Sequence, residues 1–521
     1  MTPAATASVL IVGAGPSGLM LTLELCRHGV RPRLVDSGAG PSPLSRAVVV
    51  HARTLELLDR HGLAEAFVAR GEVARGIGLR VRGRVAATVP LGELGQCISP
   101  FPFMLLLSQD QTERLLREAL ATYRVAVEWD THLTALSDGL AADPLTITLQ
   151  NAAGVAQTVR PAYVAGCDGA HSAVRHALNI GFPGGTYEQV FFVADAVVEG
   201  LEATPAPSRL VQISVGARTF NGFIPMPGGR TRIIGLLPAG LAPEEATFER
   251  LRPALEAAEH VRVRTVQWFS TYKIHHRVAA AFRHGPVFLV GDAGHVHSPA
   301  GGQGMNTGMG DAVNLGWKLA AVLRGQAPAA LLDTYAAERM PFAQQLVATT
   351  DRAFMAATRP SGWASWLRTQ VLLRLLPWVL RMPFVRRRLF RLGSQTGIAY
   401  PNSPLSQGTS PLAQGGARLP WVAGLRYTAL RQPGWQLFSV GKPTVAAGRW
   451  ARQQGLPLTA VAPGPDEVPG LLYLVRPDGY VGLMAPAFDQ AQFSTYARQW
   501  GLGAEVNSLA SEAVSLRSPH V

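Results

Sequence analysis

The feature that most constrains the fold is a glycine pattern near the N-terminus, placed between a predicted strand and a predicted helix. Ser8 to Val12 is a short apolar run, the motif Gly13-Ala-Gly15-Pro-Ser-Gly18 follows it directly, and Leu19 to Arg27 then predicts an apolar helix. A second predicted strand, Pro32 to Val35, ends at Asp36, which lies 18 residues beyond Gly18, close to the spacing of about 20 residues that dinucleotide-binding units show. Strand, glycines, helix and acid together predict a dinucleotide-binding unit.

Each residue type in this unit has a physical reason. The first glycine allows a tight turn, the second lets the backbone approach a pyrophosphate, and the third lets helix and strand pack closely. The N-terminus of the helix attracts phosphates. Asp36 is placed to accept hydrogen bonds from the hydroxyls of an adenosine ribose. We therefore expect a bound dinucleotide.

A second strand–turn–helix pattern occupies Pro286 to Asn306. Val287 to Val290 predicts a buried strand, and Gly291-Asp292 would place a carboxylate beyond its carboxyl end, where open α/β sheets bind ligands. The following turn contains Gly301, Gly302 and Gly304. Bare glycine backbone can approach a flat ligand closely.

Met309 to Leu323 predicts the helix that follows this turn, ended by Gly325. The N-terminus of a helix carries partial positive charge, which would favour the anionic reduced ring of a flavin. A glycine-rich turn without any ligand would give the same short pattern. On this stretch alone, both interpretations stay open.

A third motif decides which dinucleotide is expected. Tyr163 to Cys167 predicts a short strand, and Asp168-Gly169 follows it, before a helix that includes Arg175. The three motifs in this order resemble those of the flavoprotein monooxygenases of the p-hydroxybenzoate hydroxylase fold. Within them, the chain is most similar to the branch that hydroxylates aromatic polyketides. The resemblance covers nearly the whole chain and implies non-covalently bound FAD.

The resemblance also implies which residues contact FAD. The glycine motif with Pro16 and Ser17 matches the ADP-binding turn, and Asp36 stands where many relatives have the longer acid glutamate. Arg46, in Ser45-Arg46-Ala47, matches the arginine along the pyrophosphate. Gln109 matches a glutamine that contacts the FAD linker.

The remaining implied contacts lie in the second and third motifs. Asp168 and Gly169 match the Asp-Gly pair that the family associates with both FAD and the nicotinamide cofactor. Asp292 matches the acid that holds the ribityl chain. The loop along the isoalloxazine edge is matched by Pro299, Gly302, Gln303, Gly304, Met305 and Asn306. His295 is interpreted as part of this loop, because the pair His295 and His297 has no acid or cysteine at ligand spacing for a metal.

The implied reaction is the hydroxylation of a polycyclic aromatic compound with NAD(P)H and O₂. Reduced flavin would form a C4a-hydroperoxide, whose distal oxygen is electrophilic toward an electron-rich ring. The cofactor therefore carries the reactivity, and we assign no side chain as catalytic. The sequence contains no second GxGxxG pattern, so the nicotinamide cofactor is expected to bind transiently at the surface.

Two alternative functions are compatible with the same motifs. The first is a Baeyer–Villiger or epoxidising monooxygenase on the same fold. The second is a non-catalytic partner protein that retains FAD, which would show no substrate-stimulated oxidation of NAD(P)H. Either alternative keeps the FAD site; the first changes the reaction that the bound flavin carries out, and the second has no reaction.

Strand-like segments between residues 179 and 275 predict a sheet that covers the flavin and forms the substrate pocket. A hairpin over Val81 to Val89 would join this sheet. Aromatic side chains that could line the pocket are Phe101, Phe103, Phe191, Phe220, Phe223, Trp268 and Tyr272. Each of them, taken singly, is more often a packing residue of the core.

The predicted fold class is α/β, with a Rossmann-like FAD-binding domain, a β-sheet substrate domain and a thioredoxin-like C-terminal domain. The FAD-binding domain would be discontinuous, over residues 1–178 and 276–395, with residues 72–100 contributing to the substrate sheet of residues 179–275. The third domain, residues 400–521, contains no cysteine and cannot perform thiol chemistry. Structural support or self-association into a homodimer is its expected role.

The formal net charge is +13, and 48 residues are lysine or arginine, of which Lys273, Lys318 and Lys442 are the lysines. The arginines are scattered and accompany no nucleic-acid motif, so we expect an arginine-rich surface that attracts anionic cofactors.

Leu372 to Leu392 is apolar and basic, which is compatible with a membrane surface, but two prolines favour a bridge between domains. The N-terminus shows no targeting signal, and we expect a cytoplasmic enzyme.

Overall fold

The computed structural model describes residues 7–42, 47–74, 76–81, 83–137, 144–201, 210–215, 220–238, 240–298, 301–358, 382–409, 414–422, 425–464 and 467–502. Up to residue 137 the elements are β1 (Val9–Val12), α1 (Pro16–Arg27), β2 (Arg33–Val35), β3 (Val49–Val50), α2 (Ala52–Asp59), α3 (Ala64–Arg70), β4 (Glu72–Ala74), β5 (Gly76–Val81), β6 (Arg84–Pro90), α4 (Leu91–Gly95), β7 (Met104–Leu106), α5 (Gln109–Thr122), β8 (Val127–Glu128) and β9 (His132–Leu136).

The middle of the chain is mostly β-structure. Its elements are β10 (Ile147–Gln150), β11 (Ala156–Val159), β12 (Tyr163–Gly166), α6 (Ala173–Ala177), β13 (Gly184–Glu199), β14 (Leu210–Val215), β15 (Phe220–Met226), β16 (Arg230–Leu236), α7 (Phe248–Glu259), β17 (Arg262–Val278), β18 (Arg283–His284), β19 (Val287–Leu289) and β20 (His295–Val296). Short 3₁₀ turns lie at Pro243–Glu245 and Gly291–Ala293.

Two long helices begin the C-terminal part. Its elements are α8 (Gly304–Leu323), a 3₁₀ turn at Ala329–Leu332, α9 (Asp333–Thr358), α10 (Pro383–Gly393), α11 (Leu425–Ala429), β21 (Gln436–Val440), α12 (Val445–Gln453), β22 (Leu458–Val461), β23 (Leu472–Val475), β24 (Val481–Ala485) and α13 (Gln490–Trp500).

Six strands of the described chain form the sheet that carries the first glycine motif. Their order is β18-β19-β12-β1-β2-β8, and β1 pairs in parallel with both β2 and β12. All four residues of β1 are buried, as expected for a strand covered on both faces. The carboxyl ends of β1, β12 and β19 lie side by side, because β12 also pairs in parallel with β19. The predicted Rossmann-like sheet is confirmed.

A second sheet of eight described strands has the order β20-β17-β13-β16-β15-β14-β5-β6. Its two faces differ because side chains alternate along each strand. One face packs against α7 through a cluster that includes Phe192, Phe223, Ile233 and Phe248. We call the opposite face, which carries Phe191 and Ile224, the pocket face. Ile224 packs there with Val48 and Val49 of the first domain.

The C-terminal unit contains a four-stranded sheet of order β22-β21-β23-β24 among its described residues. β21 pairs in parallel with β22 and antiparallel with β23, and β23 pairs antiparallel with β24. The chain therefore runs strand, helix, strand, hairpin and helix, which is the predicted thioredoxin-like arrangement. Asp489 caps α13 by accepting hydrogen bonds from the backbone of Ala491 and Gln492.

One predicted boundary was wrong for a local reason. α8 begins at Gly304 and not at Met309. Of the three glycines in the turn, Gly301 and Gly302 have positive φ angles, which are incompatible with a helix, and Gly304 does not. In the apolar and basic segment, Pro383 occupies the first turn of α10, where a missing N–H is harmless. The rest of the apolar and basic segment, up to residue 381, lies outside the described residues. No helix of the described chain is long and apolar enough to cross a membrane.

Candidate functional site

The three glycines of the first motif have three different surroundings. Gly13 has a φ of 106°, and a Cβ there would overlap with the backbone carbonyl of Cys167. A Cβ on Gly18 would overlap with the carbonyl of Gly13, so this glycine lets α1 pack on the turn. Gly15 has an ordinary φ of −71°, and nothing lies within 4 Å of a Cβ built on it. Only Gly15 of the three faces open space, at the N-terminus of α1, which fits a pyrophosphate there.

Asp36 lies at the end of β2, beside this turn. Its Oδ2 accepts a hydrogen bond of 2.6 Å from the backbone N–H of Ala14, and its Oδ1 accepts one of 2.8 Å from Gly38. The carboxylate is therefore held in place by backbone groups of the dinucleotide turn. Since each carboxylate oxygen has a second lone pair, Asp36 can still accept from a ribose hydroxyl as predicted.

Asp168 and Gly169 follow β12 and adjoin the same turn. Oδ2 of Asp168 accepts a hydrogen bond of 3.1 Å from the backbone N–H of Val174. Oδ1 is buried and has no hydrogen-bond partner among the described residues. Burial raises the pKa of this carboxyl. An orphaned buried oxygen needs a donor, and a hydroxyl of the cofactor would satisfy it.

The second glycine-rich motif meets the first at Ser17. The side chain of Ser17 lies between Gly291 and Gly308, and a Cβ on either glycine would overlap with its hydroxyl. The start of α1, the turn after β19 and the first turns of α8 therefore converge at one point. Asp292 lies next to this point with an exposed side chain, as expected for an acid at the rim of a cofactor site.

Asn306 connects the glycine turn to β3 through hydrogen bonds of its side chain. It lies in the first turn of α8, is 1% exposed, and donates from Nδ2 to the carbonyls of Val49 and Gly302, each at 2.8 Å. Its Oδ1 accepts from the backbone N–H of His51 at 2.8 Å and from the hydroxyl of Thr54 at 2.7 Å. Gly304, Met305 and Asn306 were predicted in a loop, and this is corrected: all three are helical.

His51 was missed by the sequence analysis. Its buried ring donates from Nε2 to the carbonyl of Gly301 at 2.9 Å, so the imidazole and Asn306 fix the same turn. The available signal was its position directly after the apolar run Val48 to Val50, since Asp36 follows β2 in the same way. Burial lowers the pKa of His51 to about 4, against opposing hydrogen bonds to the carbonyls of Gly301 and Gly302.

The pKa of His51 predicts an acid-sensitive contribution to stability. Between its folded value of about 4 and its ordinary value of 6.5, the unfolded chain binds more protons, so this contribution is complete above pH 6.5. It falls by roughly 3 kcal/mol as the pH is lowered to 4. Denaturant unfolding of the wild type and His51→Gln at several pH values should show the gap between them closing in acid. Parallel curves would contradict the assignment.

A buried charge cluster fixes the turn after β19 from behind. Asp311, on α8, accepts from the backbone N–H of Gly291 at 3.1 Å, from Nε2 of His295 at 2.8 Å and from Nε of Arg339 at 2.5 Å. Burial opposes ionisation of Asp311, but Arg339 and His295 hold its pKa below the usual value. His295 therefore supports the turn through Asp311, which is a more specific role than the predicted place in the loop.

The two glutamines predicted to contact FAD, Gln109 and Gln303, make different hydrogen bonds. Gln109 is the first residue of α5 and exchanges hydrogen bonds with the backbone of Ala47. Gln303 is buried, donates to the carbonyl of Gly393 at 3.1 Å and accepts from Gln395 at 2.6 Å. Gln303 therefore connects the glycine turn with the end of α10. Arg46 and Pro299 lie outside the described residues.

The predicted pocket aromatics do not all come together. Phe191 contacts Phe220 and Tyr272, with ring centres 6.3 and 6.0 Å apart. Trp268 lies on the same face of the sheet, because it pairs with Asp195 on β13. Phe223 lies on the face covered by α7, and we remove it from the predicted pocket. Phe101 and Phe103 stack edge to face at 6.2 Å beside the core of the first domain.

Known proteins share both the sequence and the fold of this chain. The FAD binding domain family matches residues 6–350. A 6-methylpretetramide 4-monooxygenase from Streptomyces rimosus is 36% identical over 511 residues, covering 91% of this chain and 90% of the relative.

Solved structures agree with this relationship. The anhydrotetracycline hydroxylase OxyS from Streptomyces rimosus superimposes with a TM-score of 0.75 at 32% identity, over 95% of this chain and 99% of that one. An aklavinone-11 hydroxylase, solved with FAD and aklavinone, superimposes with a TM-score of 0.73 at 26% identity, over 96% of this chain and 99% of that one. The chain therefore belongs to the FAD binding domain family, in the aromatic polyketide hydroxylase branch of the FAD-dependent monooxygenases.

Proposed function

We propose that this enzyme hydroxylates a polycyclic aromatic compound of the polyketide type, with NAD(P)H as reductant and O₂ as oxidant. One observation carries the proposal: the turns of three separate motifs meet around Ser17 and Gly13, and leave open space at Gly15. The relatives named 6-methylpretetramide 4-monooxygenase and anhydrotetracycline hydroxylase support a fused-ring substrate. The pocket face supplies aromatic surface for such rings.

The residues of the chain would bind and orient FAD. Bound FAD supplies the redox chemistry that activates O₂. The N-terminus of α1 would hold the pyrophosphate, Asp36 the ribose, and Asp292 the ribityl chain. His51 and Asn306 hold the glycine turn through hydrogen bonds to its carbonyls, and would thereby keep its backbone in place for contact with FAD. The apolar side chains of the pocket face would exclude water from the reaction.

Asp292 provides a test of the cofactor contacts. Asp292→Ala should keep the circular dichroism spectrum of the wild type, because its side chain is exposed. FAD binding should weaken by about 1.5–3 kcal/mol, the value of one charge-assisted hydrogen bond. Flavin fluorescence during titration of the apoprotein would measure this change. Full affinity for FAD in the variant would remove Asp292 from the site.

Steady-state oxidation of NADPH tests the reaction. We expect slow oxidation by the enzyme alone and faster oxidation when a polycyclic phenol is added, with a hydroxylated product detected by mass spectrometry. A Baeyer–Villiger or epoxidising enzyme would give a different product from the same cofactors. A non-catalytic FAD-binding protein would show no stimulation with any compound.

The division into domains, the location and the oligomeric state are part of the same proposal. We propose an FAD-binding domain of residues 1–178 and 276–395, a substrate sheet of residues 179–275 joined by residues 72–100, and a tail of residues 400–521. The pairing of β5 with β14 supports the sharing of residues 72–100.

Three free cysteines support a cytoplasmic location, and we propose a homodimer as the working form.

A further inference from the structure

The pocket face of the eight-stranded sheet is partly open. Ile224, Ile234, Trp268 and Tyr272 lie on it and are half-buried, whereas side chains such as Ile233 on the opposite face are buried under α7. Ile224 packs in the cluster that contains Val48 and Val49. A Cβ on Gly302 would contact Val49, so the pocket face extends to the glycine turn of the FAD site.

One buried cation lies within this apolar surface. Arg232 pairs across the sheet with Asp195 on one side and Ile224 on the other, and it is 0% exposed. Its Nε and Nη2 donate to the two carboxylate oxygens of Asp195 at 2.7 and 2.8 Å. This two-point contact fixes the plane of the guanidinium.

The third nitrogen of Arg232 is uncommitted. Nη1 is buried and has no hydrogen-bond acceptor in the described part of the chain. A buried donor without an acceptor costs about 1–3 kcal/mol, which an acceptor on a ligand would offset. The guanidinium lies over the ring of Trp268, with Cζ 5.6 Å from the ring centre, and the indole adds a flat apolar surface for an aromatic ligand.

Two titratable groups of the described chain act on this guanidinium: Asp195 binds it, and Tyr272 lies close enough to interact with its charge. Asp195 is already engaged as an acceptor. Burial raises the pKa of Tyr272, although Arg232 opposes the rise, so its phenol stays protonated and can donate. The uncommitted Nη1 of Arg232 and the ring of Trp268 therefore lie together on the pocket face.

We propose that Arg232 binds an anionic oxygen of the aromatic substrate, a phenolate or an enolate, and thereby selects substrates that carry an ionisable hydroxyl group. The inference rests on the proposed function and specifies its substrate class. Because the ring of Trp268 lies over the guanidinium and Nη1 is buried, the binding of a ligand oxygen at Nη1 would require the indole to move aside. Binding the anion also favours the reaction, because a phenolate ring is more electron-rich than a phenol ring.

The ionisation of a bound probe tests this inference without catalysis. 2-Hydroxyanthraquinone changes colour when its hydroxyl ionises, and its difference spectrum can be titrated on the oxidised holoenzyme. We expect its pKa to be at least one unit lower when bound than when free. In Arg232→Met the lowering should disappear, and the Kd measured above the pKa of the probe should rise at least tenfold. Anthraquinone, which lacks the hydroxyl, should bind both proteins equally.

Arg80 offers a matched control on the other face of the same sheet. It is also buried, pairs with Glu259 at 3.4 Å and lies 5.7 Å from the ring of Phe223. Arg80→Met should leave the pKa of the bound probe unchanged. If the lone Asp195 carboxylate prevents Arg232→Met from folding, the double variant Asp195→Asn/Arg232→Met removes both charges and replaces it.

The outcomes separate the inference from the proposed function. An unchanged pKa of the bound probe in the Arg232 variants would overturn the inference, and it would leave the hydroxylase function standing if the wild type still oxygenates polycyclic phenols. Failure of every polycyclic aromatic compound to bind the wild type would contradict both.

Discussion

Arg476→Ala should lower the free energy of unfolding by about 3–5 kcal/mol, the usual effect of removing one partner from a buried ion pair. Arg476 lies in the turn between β23 and β24 and is 1% exposed. Its Nη1 and Nη2 donate to Glu338 on α9 at 2.6 and 2.9 Å, and its Nε donates to Asp478 at 3.0 Å. Without Arg476, the carboxylates of Glu338 and Asp478 would remain buried and less well compensated.

The same turn connects the C-terminal unit with the helix that begins at the FAD site. Asp478 accepts from the indole N–H of Trp317 on α8 at 3.2 Å, and Lys318 donates to Glu338 at 2.9 Å. Although burial opposes it, the charges of Arg476 and Lys318 hold the pKa of Glu338 well below the usual value. We therefore expect the C-terminal unit to support the FAD-binding domain structurally.

Arg431 is the matched control for this prediction. It also joins the C-terminal unit to the first domain, through Asp59 at 2.8 Å, but its side chain is 55% exposed. Arg431→Ala should lower the free energy of unfolding by less than about 1 kcal/mol, as is usual for an exposed ion pair. Urea unfolding followed by circular dichroism compares the two variants. Equal losses of unfolding free energy in the two variants would contradict the prediction that the buried cluster around Glu338 stabilises the protein more than an exposed ion pair does.

Gly15→Val should abolish FAD retention while leaving the protein folded. Gly15 has backbone angles that any residue adopts, φ −71° and ψ −178°, and no atom lies within 4 Å of an added Cβ. The valine side chain would instead fill the space proposed for the pyrophosphate. We expect the affinity for FAD to fall at least 100-fold, which corresponds to about 2.8 kcal/mol.

Gly18→Ala is the contrasting variant in the same motif. Its Cβ would overlap with the carbonyl of Gly13, so α1 must move away from the turn and the fold itself should be destabilised. Thermal unfolding and FAD titration, measured on both variants, separate the two effects. A Gly15→Val protein that stays yellow through gel filtration would show that the pyrophosphate does not lie at this turn.

Much of the fold follows from local sequence patterns. β1, the glycine turn and α1 were predictable, because the pattern of apolar residues, the spacing of the glycines and the position of Asp36 all indicate one dinucleotide-binding unit. The strand predicted from Val287 to Val290 is present as β19 (Val287–Leu289), since an apolar run lies between clear turn signals. The same holds for the predicted strand Tyr163 to Cys167, where the structure has β12 (Tyr163–Gly166).

The contacts that support the site were not predictable in this way. His51 and Asn306 meet across 255 residues of sequence, and no local pattern pairs a histidine after one strand with an amide in a distant helix. Phe223 was placed in the pocket because strand periodicity shows that residues alternate between faces and does not show which face α7 covers. The Arg476–Glu338 pair spans 138 residues and depends on how the C-terminal unit docks.

The most direct test of the central claim is the fate of molecular oxygen. The enzyme should be supplied with NADPH, ¹⁸O₂ and a panel of polycyclic phenols, and its flavin reduction should be followed in parallel under nitrogen by stopped-flow spectroscopy. A hydroxylase of this type should reduce its flavin faster with at least one phenol and should insert one ¹⁸O atom into that compound. If no compound of the panel accelerates reduction or gains ¹⁸O, the account of this protein as an aromatic hydroxylase is contradicted.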